Sequence, residues 1–191
     1  MRREFGFPAD ALLVTTVGNL TPKKGHVHLL AAARRVVRSY PNARFLIVGQ
    51  GPLADDLRAE AARLGLNGSL VFAGFRPDAI RLMAASDLFV LSSLFEGLPV
   101  TLLEAMALAK PSVVTRVGGV PEITDERSSL MVAPGDPEAL AGAIETLLIL
   151  PDQRTRMGAT AQQRAHSRYG VPQMVRAIEQ IYTDLLKEDR A

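Results

Sequence analysis

The sequence LLVTTVGNLTPKKGHVHLLAAARRVV at residues 12–37 contains an apolar run, a loop bounded by glycines and an amphipathic stretch. The run Leu12–Val17 is short, nearly continuous and rich in β-branched residues, which is typical of a strand buried on both faces of a parallel sheet. After Gly25, apolar residues recur with the helical period. They are Val27, Leu30, Ala31, Ala33, Val36 and Val37. Residues 12–37 therefore predict a strand, a loop and a helix of an α/β fold.

The same succession continues along the chain. Further apolar runs occur at residues 44–48, 70–72, 88–91, 112–115 and 130–132. Helical stretches lie between them, at residues 52–64, 78–85, 99–108 and 137–150. Strands that alternate with helices form a parallel sheet through right-handed crossovers. We therefore predict an α/β fold with a doubly wound, six-stranded parallel sheet of the Rossmann-like type.

After Leu150 only helical signals remain, up to residue 187, with an interruption near Gly170. Residues 171–187 carry a strong apolar stripe, and such a stripe needs a surface that covers it. Packing on the chain's own domain is the simplest expectation for this stripe. The sequence thus predicts extra C-terminal helices behind the sheet domain.

Residues 1–11 are short and polar and contain Gly6 and Pro8 as breakers, which predicts a linker-like lead-in rather than a core element. The domain itself is then expected to span residues 12–168, followed by the helix at 171–187. The 191 residues are 48% hydrophobic and 22% charged, which is typical of a globular chain. One domain of this size buries enough surface to fold alone.

The composition excludes several kinds of chemistry. Cysteine is absent, which excludes a disulfide framework, a thiol nucleophile and a cysteine-based zinc site. Tryptophan is absent and aromatic residues make up 5%, which argues against single-strand binding by base stacking. The net charge is only +2 and the basic residues are scattered, so no nucleic-acid partner is predicted. No apolar run reaches the ~18 residues of a membrane span and no signal peptide is found, so we expect a cytoplasmic location.

Two unusual loops are predicted to meet at one edge of the sheet. In open α/β sheets, ligands bind at the carboxyl ends of the strands, where the strand order reverses. With the common order 3-2-1-4-5-6, the loops after the first and fourth strands flank that point. These loops are Gly18–Gly25 (GNLTPKKG) and Ser92–Pro99 (SSLFEGLP). Their convergence predicts a ligand site.

The loop Gly18–Gly25 has the features of an anion site. Glycines let backbone amides approach an anion closely, and a lysine and a helix start add favourable charge. Lys24 is therefore a candidate phosphate ligand, and a turn that merely needs flexible glycines explains the loop equally well. The loop is not a Walker A loop, because no GK[ST] follows at the required spacing.

The loop Ser92–Pro99 carries Glu96 and leads into a helix with Pro99 in its first turn. The amides at the start of that helix are placed to hold a diphosphate. Glu104 lies in the apolar segment TLLEAMALA, where an unpaired carboxylate is costly, and a carboxylate can accept two hydroxyl hydrogen bonds from a sugar. The alternative is that Glu96 is a solvated loop residue and Glu104 a surface residue of the helix.

Two further glycine pairs follow predicted strands. Gly49-Gln50-Gly51 resembles the start of a dinucleotide fingerprint, but position 54 is Ala where the third glycine belongs, so a tight strand-to-helix turn explains it better. Gly118–Glu122 (GGVPE) follows the fifth strand. Its amides either hold an anion or shape a sugar pocket, or it is an ordinary turn into a short helix, and the sequence leaves these readings equal.

Four motifs occur together in the order and spacing of one known family. They are Gly18…Lys24-Gly25, Gly49-Gln50-Gly51-Pro52, Phe95-Glu96-Gly97-Leu98-Pro99 with Leu103-Glu104-Ala105-Met106, and Gly118-Gly119-Val120-Pro121-Glu122. From about residue 11 to 187, the chain resembles the C-terminal domain of retaining glycosyltransferases of the GT-B fold, family 4. The two glutamates separated by seven residues are the most specific part. The resemblance implies transfer of a sugar from a nucleotide-sugar to an acceptor hydroxyl, with the anomeric configuration kept, as in bacterial glycan biosynthesis.

The resemblance also implies a role for each residue of a donor site. Lys24 would neutralise the diphosphate, together with backbone amides near Gly18 and at residues 98–101. Glu104 would bind the ribose hydroxyls and Glu96 the hydroxyls of the donor sugar. The nucleobase of a UDP- or GDP-sugar would lie against residues 74–76, largely against their backbone. The predicted set is Gly18, Asn19, Lys24, Phe75, Arg76, Glu96, Gly97, Leu98, Val100, Thr101 and Glu104, with no metal and no cofactor required.

One departure from the family pattern concerns charge. The family usually has Arg after the glycine of the first loop, where this chain has Asn19. Lys23 and Arg116 are candidate replacements for the missing cation. If neither replaces it, the donor affinity is expected to fall by about 1–3 kcal/mol.

The family also joins this domain to an acceptor-binding N-terminal domain, which usually supplies a catalytic histidine and onto which the last helix crosses. No part of that half is predicted in these 191 residues, and His26, His28 and His166 are expected to be ordinary surface or helix residues. We therefore assign no catalytic residue here and expect donor binding without transfer, with the acceptor half in cis or in trans and peripheral membrane association of the complete enzyme. The alternative is a non-catalytic nucleotide-sugar-binding or scaffold module that needs a partner chain. An epimerase or phosphorylase of the same fold is less favoured.

Overall fold

The computed structural model describes residues 1–188, which contain a six-stranded sheet. All paired strands run parallel, in the order β3-β2-β1-β4-β5-β6. The strands are β1 (Leu12–Val17), β2 (Ala43–Val48), β3 (Leu70–Gly74), β4 (Leu88–Leu91), β5 (Ser112–Thr115) and β6 (Ser129–Val132). The predicted fold class, strand number and strand order are confirmed.

Helices follow each strand and cover both faces of the sheet. They are α1 (His26–Ser39), α2 (Ala54–Arg63), α3 (Ala79–Ala84), α4 (Val100–Ala107), α5 (Val120–Ile123), α6 (Pro137–Ile149), α7 (Pro151–Arg168) and α8 (Val171–Glu188). Short 3-10 turns occur at Arg3–Phe5 and Pro22–Lys24. The predicted interruption near Gly170 separates α7 from α8.

The strands are buried on both faces, which explains their continuous apolar runs. Phe45 and Val90 pack with the helices α1, α2 and α6 on one face. Phe89 and Val114 pack with α4, α5 and α7 on the other. Because side chains alternate along a strand, the adjacent residues Phe89 and Val90 enter opposite layers of the core. Such a sheet presents its loops, rather than its faces, to a ligand.

The segment at residues 1–11, predicted to be a lead-in rather than a core element, is fastened to the domain. Phe7 is buried against the sheet in the described structure. Arg2 Nη2 lies 2.7 Å from Asp87 Oδ2, and the same oxygen accepts a hydrogen bond from the Leu13 amide. The segment therefore contributes one aromatic ring to the core.

Helix α8 does not pack on its own domain, which corrects the simplest expectation for its apolar stripe. The stripe residues are 42% to 68% exposed; they are Val171, Met174, Val175, Ile178, Ile181, Tyr182, Leu185 and Leu186. An apolar face of this kind is stabilised only when a second surface covers it. Within residues 1–188, no helix has the length and apolar character needed to cross a bilayer.

Candidate functional site at the carboxyl edge of the sheet

The strands β1 and β4 separate at the edge where the sequence places a ligand. Their ladder pairs Val14 with Leu88 and Thr15 with Phe89, whereas β1 pairs with β2 along its whole length. The loops at residues 18–25 and 92–99 follow these two strands, and we call them the crevice loops. The strand order places them on either side of the opening, as predicted.

The crevice loops are joined through their backbones. The Leu94 amide donates to the Lys23 carbonyl at 2.7 Å, and the Ser92 hydroxyl donates to the Lys24 carbonyl at 3.1 Å. Gly25 has a φ of +61°, and a Cβ at this position would overlap the carbonyl oxygen of Ser92. Only glycine fits both the left-handed conformation and the close approach. Gly25 is therefore required for the contact between the loops.

Lys24 and Glu96 form an ion pair across the crevice. Lys24 Nζ lies 2.6 Å from Glu96 Oε1, and the two side chains are only 16% and 9% exposed. The Ser93 hydroxyl donates to the same Oε1 at 2.6 Å. The lysine stem lies against Gly18, where an added Cβ would be 3.5 Å from Lys24 Cε. Sequence reasoning assigned Lys24 and Glu96 to different parts of a ligand, and the structure adds that they also bind each other.

The start of α4 offers free backbone donors beside this pair. Within residues 1–188, the amides of Val100 and Thr101 donate to no backbone carbonyl. The Thr101 hydroxyl oxygen is buried and has no hydrogen-bond partner there. Unpaired amides at a helix N-terminus form a ready site for an anion. An anionic oxygen at this position would satisfy donors that the described chain leaves open.

Glu104 lies one turn further along α4 and is half-buried. No ion pair or hydrogen bond reaches its carboxylate from the side chains of residues 1–188. Burial raises the pKa of Glu104, because the charged form loses hydration. Positions 100, 101 and 104 share one helix face, so this carboxylate and the free amides are neighbours.

The loop after β5 supports the second crevice loop from behind. Gly118 has a φ of +47°, and a Cβ there would overlap the carbonyl oxygen of Glu96. The Gly119 amide donates to the Gly97 carbonyl at 2.9 Å. This motif is a turn into the short helix α5 that also supports the backbone around Glu96. Its role toward a ligand stays a prediction.

The segment at residues 74–76 lies at the carboxyl end of β3, and its arginine is already paired. The Arg76 guanidinium contacts both carboxylate oxygens of Asp78 at 2.7 and 2.8 Å and Glu4 Oε1 at 2.6 Å. It also lies over the ring of Phe5, 5.5 Å from the centroid. Asp78 and then Glu4 raise the pKa of Arg76. Phe75 is exposed, so its ring and the local backbone are the groups free to meet a ligand.

Asn19, at the position where the family usually has arginine, is exposed. The two candidate replacement cations, Lys23 and Arg116, are exposed as well. Neither Lys23 nor Arg116 has a carboxylate within ion-pair distance in the described part of the chain. Both therefore remain candidates for the charge that Asn19 lacks.

His26 begins α1 directly behind the first crevice loop and is buried. Burial, assisted by the charge of Lys24, lowers the pKa of His26 to about 4. The imidazole is therefore neutral at physiological pH. Over residues 1–188, no cluster of three or more His, Asp or Glu side chains is arranged to hold a metal ion.

Two buried hydroxyls of this site carry no signal in the sequence. Ser93 donates to Glu96, and Thr115 donates to the Ser93 carbonyl at 2.6 Å. In the sequence, Ser93 closely follows the run 88–91 and Thr115 ends the run 112–115, so both indicate only the end of a strand. Their positions in the loop after β4 and at the end of β5 become meaningful only when the sheet brings them together.

Comparison with known families and structures identifies the relatives of this chain. The family model described as glycosyl transferases group 1 matches residues 1–164. The lipopolysaccharide core biosynthesis glycosyltransferase LpsD of Rhizobium meliloti is 31% identical over 185 residues, which are 96% of this chain and 52% of LpsD. The chain spans about half the length of the curated relatives it matches.

Solved structures of other proteins share the fold of this chain. Anabaena HepE in complex with UDP has a TM-score of 0.89 and 27% identity, covering 96% of this chain and 51% of HepE. HepE has also been solved with UDP-glucose. The C-terminal domain of LpcC, a group 1 family protein from Francisella tularensis, has a TM-score of 0.79 at 22% identity and covers 88% of this chain and 91% of that domain. The last comparison concerns the fold alone.

Proposed function

The chain belongs to the glycosyl transferases group 1 family, and from this membership we propose that it is the donor-binding half of a retaining glycosyltransferase. The proposed reaction transfers a sugar from a UDP- or GDP-sugar to an acceptor hydroxyl. The observation that carries the proposal is the pairing of Lys24 with Glu96 between the two crevice loops. The HepE structures support it, because that protein was solved with UDP and with UDP-glucose.

The diphosphate would bind between Lys24 and the start of α4. Negative charge accumulates on the diphosphate as the bond to the sugar breaks, and fixed donors aimed at that charge lower the barrier. Lys24 offers a full positive charge, and the amides of Val100 and Thr101 offer two hydrogen bonds. Because Lys24 is paired in the ligand-free state, the diphosphate would compete with Glu96 for the ammonium group.

The two glutamates would divide the hydroxyl groups of the donor. Glu104 would accept hydrogen bonds from the ribose, which would supply the partners that its half-buried carboxylate lacks. Glu96 Oε1 already has two donors, so Oε2 would receive a hydroxyl of the sugar. The nucleobase would lie against Phe75 and the backbone of residues 74–76, and no metal is needed in this proposal.

The acceptor half and its catalytic histidine would come from outside these 191 residues, either in cis or in trans. The stripe of α8 supports such a partner, because it is an apolar surface left uncovered within residues 1–188. On this proposal the chain binds the donor but transfers no sugar by itself.

Isothermal titration calorimetry with UDP, GDP, UDP-glucose and GDP-mannose tests the donor assignment. We expect one base to be preferred and the affinity to fall by about 100-fold in the Lys24→Ala variant. Absence of binding for all four ligands at millimolar concentration would reject donor recognition.

A second candidate is a non-catalytic nucleotide-sugar module that acts as a scaffold. Two observations favour it, namely the exposed stripe of α8 and Asn19 in place of the family's arginine. Two measurements separate the candidates. A homodimer that light scattering finds equally stable with and without nucleotide favours the scaffold. Co-purification of the chain with a separate acceptor-domain chain favours the enzyme.

A further inference from the structure

Two buried hydroxyl groups connect the core to the Glu96 carboxylate. Ser93 is fully buried, and its Oγ donates to Glu96 Oε1 at 2.6 Å. Thr115, at the end of β5, is 2% exposed, and its Oγ1 donates to the Ser93 carbonyl at 2.6 Å. The connection thus runs from a central strand through the backbone of Ser93 to one oxygen of the carboxylate.

This arrangement saturates one carboxylate oxygen and leaves the other open. Glu96 Oε1 receives Lys24 Nζ and Ser93 Oγ, both at 2.6 Å. No donor from residues 1–188 lies within hydrogen-bond distance of Oε2. A carboxylate has about four acceptor sites, so Oε2 keeps its full capacity for ligand hydroxyls.

The two hydrogen-bond donors at Glu96 Oε1, Lys24 and Ser93, respond differently when a nucleotide-sugar binds. On the proposed function the diphosphate draws the Lys24 ammonium group away from Oε1, whereas Ser93 is fixed in the core. After Lys24 turns to the diphosphate, Ser93 is the group that still holds Glu96 in its orientation. A hydrogen bond to an ionised acceptor is stronger than one between neutral groups, so one hydroxyl suffices for this task.

We propose that Ser93, held in place by Thr115, is a positioning residue that aims Glu96 Oε2 at a hydroxyl of the donor sugar. This inference rests on the proposed function, since it needs a nucleotide-sugar in the crevice. It predicts that Ser93 affects recognition of the sugar and leaves recognition of the nucleotide nearly unchanged.

Ser86 provides a matched comparison on the same sheet. It is 3% exposed, and its Oγ also makes a hydrogen bond of 2.6 Å, but the acceptor is the neutral Met83 carbonyl. Ser86 precedes β4, at the opposite edge of the sheet from Ser93. A Ser86→Ala variant therefore loses an equally buried hydroxyl without touching the crevice.

The test compares the affinities of UDP and UDP-glucose, and of GDP and GDP-mannose, in variants of the full chain. In Ser93→Ala we expect the affinity for the sugar nucleotide to fall about 10-fold, the size of one hydrogen bond to a charged group. The affinity for the nucleotide alone is expected to change less than about 3-fold, since it does not use Glu96 Oε2. Ser93→Thr keeps a hydroxyl and should restore most of the sugar recognition, and Ser86→Ala should leave the ratio unchanged.

Thr115→Val keeps the Ser93 hydroxyl and removes its support, so it keeps the inference testable if Ser93→Ala fails to fold. It should lower the same ratio by a smaller factor, and Thr115→Ser should restore it. An equal loss for nucleotide and sugar nucleotide, or an unchanged ratio in both variants, would overturn the role of Ser93 while leaving the donor site intact. A wild-type chain that binds none of the four ligands would instead reject the proposed function itself.

Discussion

The crevice loops bury charged side chains, whereas helix α8 exposes apolar ones. The crevice loops hold two opposite charges that are only 16% and 9% exposed, and these charges are paired within the chain. Helix α8 carries eight apolar residues that are at least 42% exposed, and nothing in residues 1–188 covers them. Both arrangements are costly unless a partner is present. The difference shows that the charges of the crevice loops have partners within the described chain, whereas the apolar stripe of α8 has no covering surface there.

Among the changes in the crevice loops, removing the charge of Lys24 should lower the affinity for a nucleotide the most. We expect Lys24→Ala to lower the affinity for UDP or GDP by about 100-fold, or about 3 kcal/mol, because a charge-assisted contact to the diphosphate is lost. Calorimetry should show a smaller loss for the nucleoside.

Lys187→Ala, on α8, is the control, because it removes an exposed lysine that lies near Asp184 of the same helix and not near Glu96. Equal losses for nucleoside and nucleotide in Lys24→Ala would contradict a role at the diphosphate.

The buried imidazole behind the first crevice loop gives the next largest effect, on stability. The pKa of His26 falls from 6.5 to about 4 on folding. The unfolded chain therefore binds the proton first, and the free energy of unfolding decreases as the pH falls below about 6.5. Between pH 7 and pH 5 this loss amounts to about 2 kcal/mol.

Urea unfolding at both pH values measures it. In His26→Gln the pH dependence should flatten by that amount. An identical pH profile in the wild type and in His26→Gln would show that folding does not lower the pKa of His26.

Replacing Glu104 should separate ligand binding from stability. We expect Glu104→Gln to lower nucleoside affinity by about 1 kcal/mol, because the amide accepts fewer hydrogen bonds from a ribose than the carboxylate does. The free energy of unfolding should stay equal or rise slightly, since the half-buried charge is removed. Uridine and guanosine titrations, paired with urea unfolding, test both parts. A large loss of stability would mean that the carboxylate has a structural partner.

The smallest effect is expected on α8. Changing Ile178 and Ile181 together to Ser should alter the free energy of unfolding by less than about 0.5 kcal/mol, since both side chains are exposed. The matched change Ile144→Ser, in the core against α1, should cost more than about 3 kcal/mol. If the α8 change cost as much as the core change, α8 would pack on the domain in solution and the comparison would fail.

The sequence predicted most of the fold because its local signals agree with the global arrangement. The runs at 12–17, 88–91 and 112–115 match β1, β4 and β5 to the residue. Strand β3 extends to Gly74, where Ala73 and Gly74 give no strand signal but Gly74 pairs with Val48. That extension depends on the neighbouring strand, which a local pattern does not contain.

The location of the candidate site was predictable from the sequence, but the contacts between its residues were not. The motifs placed Lys24, Glu96 and Glu104 at one edge, because parallel strands end at the same side of the sheet. The Lys24–Glu96 contact joins residues 72 positions apart, and no spacing rule reports it. Ser93 and Thr115 gave no signal, since buried hydroxyls follow neither the helix nor the strand period. The roles of the site residues toward a ligand remain predictions.

The backbone approach between the loop after β5 and the second crevice loop has a consequence for mutational studies. Gly118 and Gly25 each leave no space for a side chain beside a carbonyl of that loop. A survey of all single substitutions, scored only for folded protein, would therefore find these positions as intolerant as the core. Because both positions border the crevice, such tolerance data would mark its location without any ligand being present.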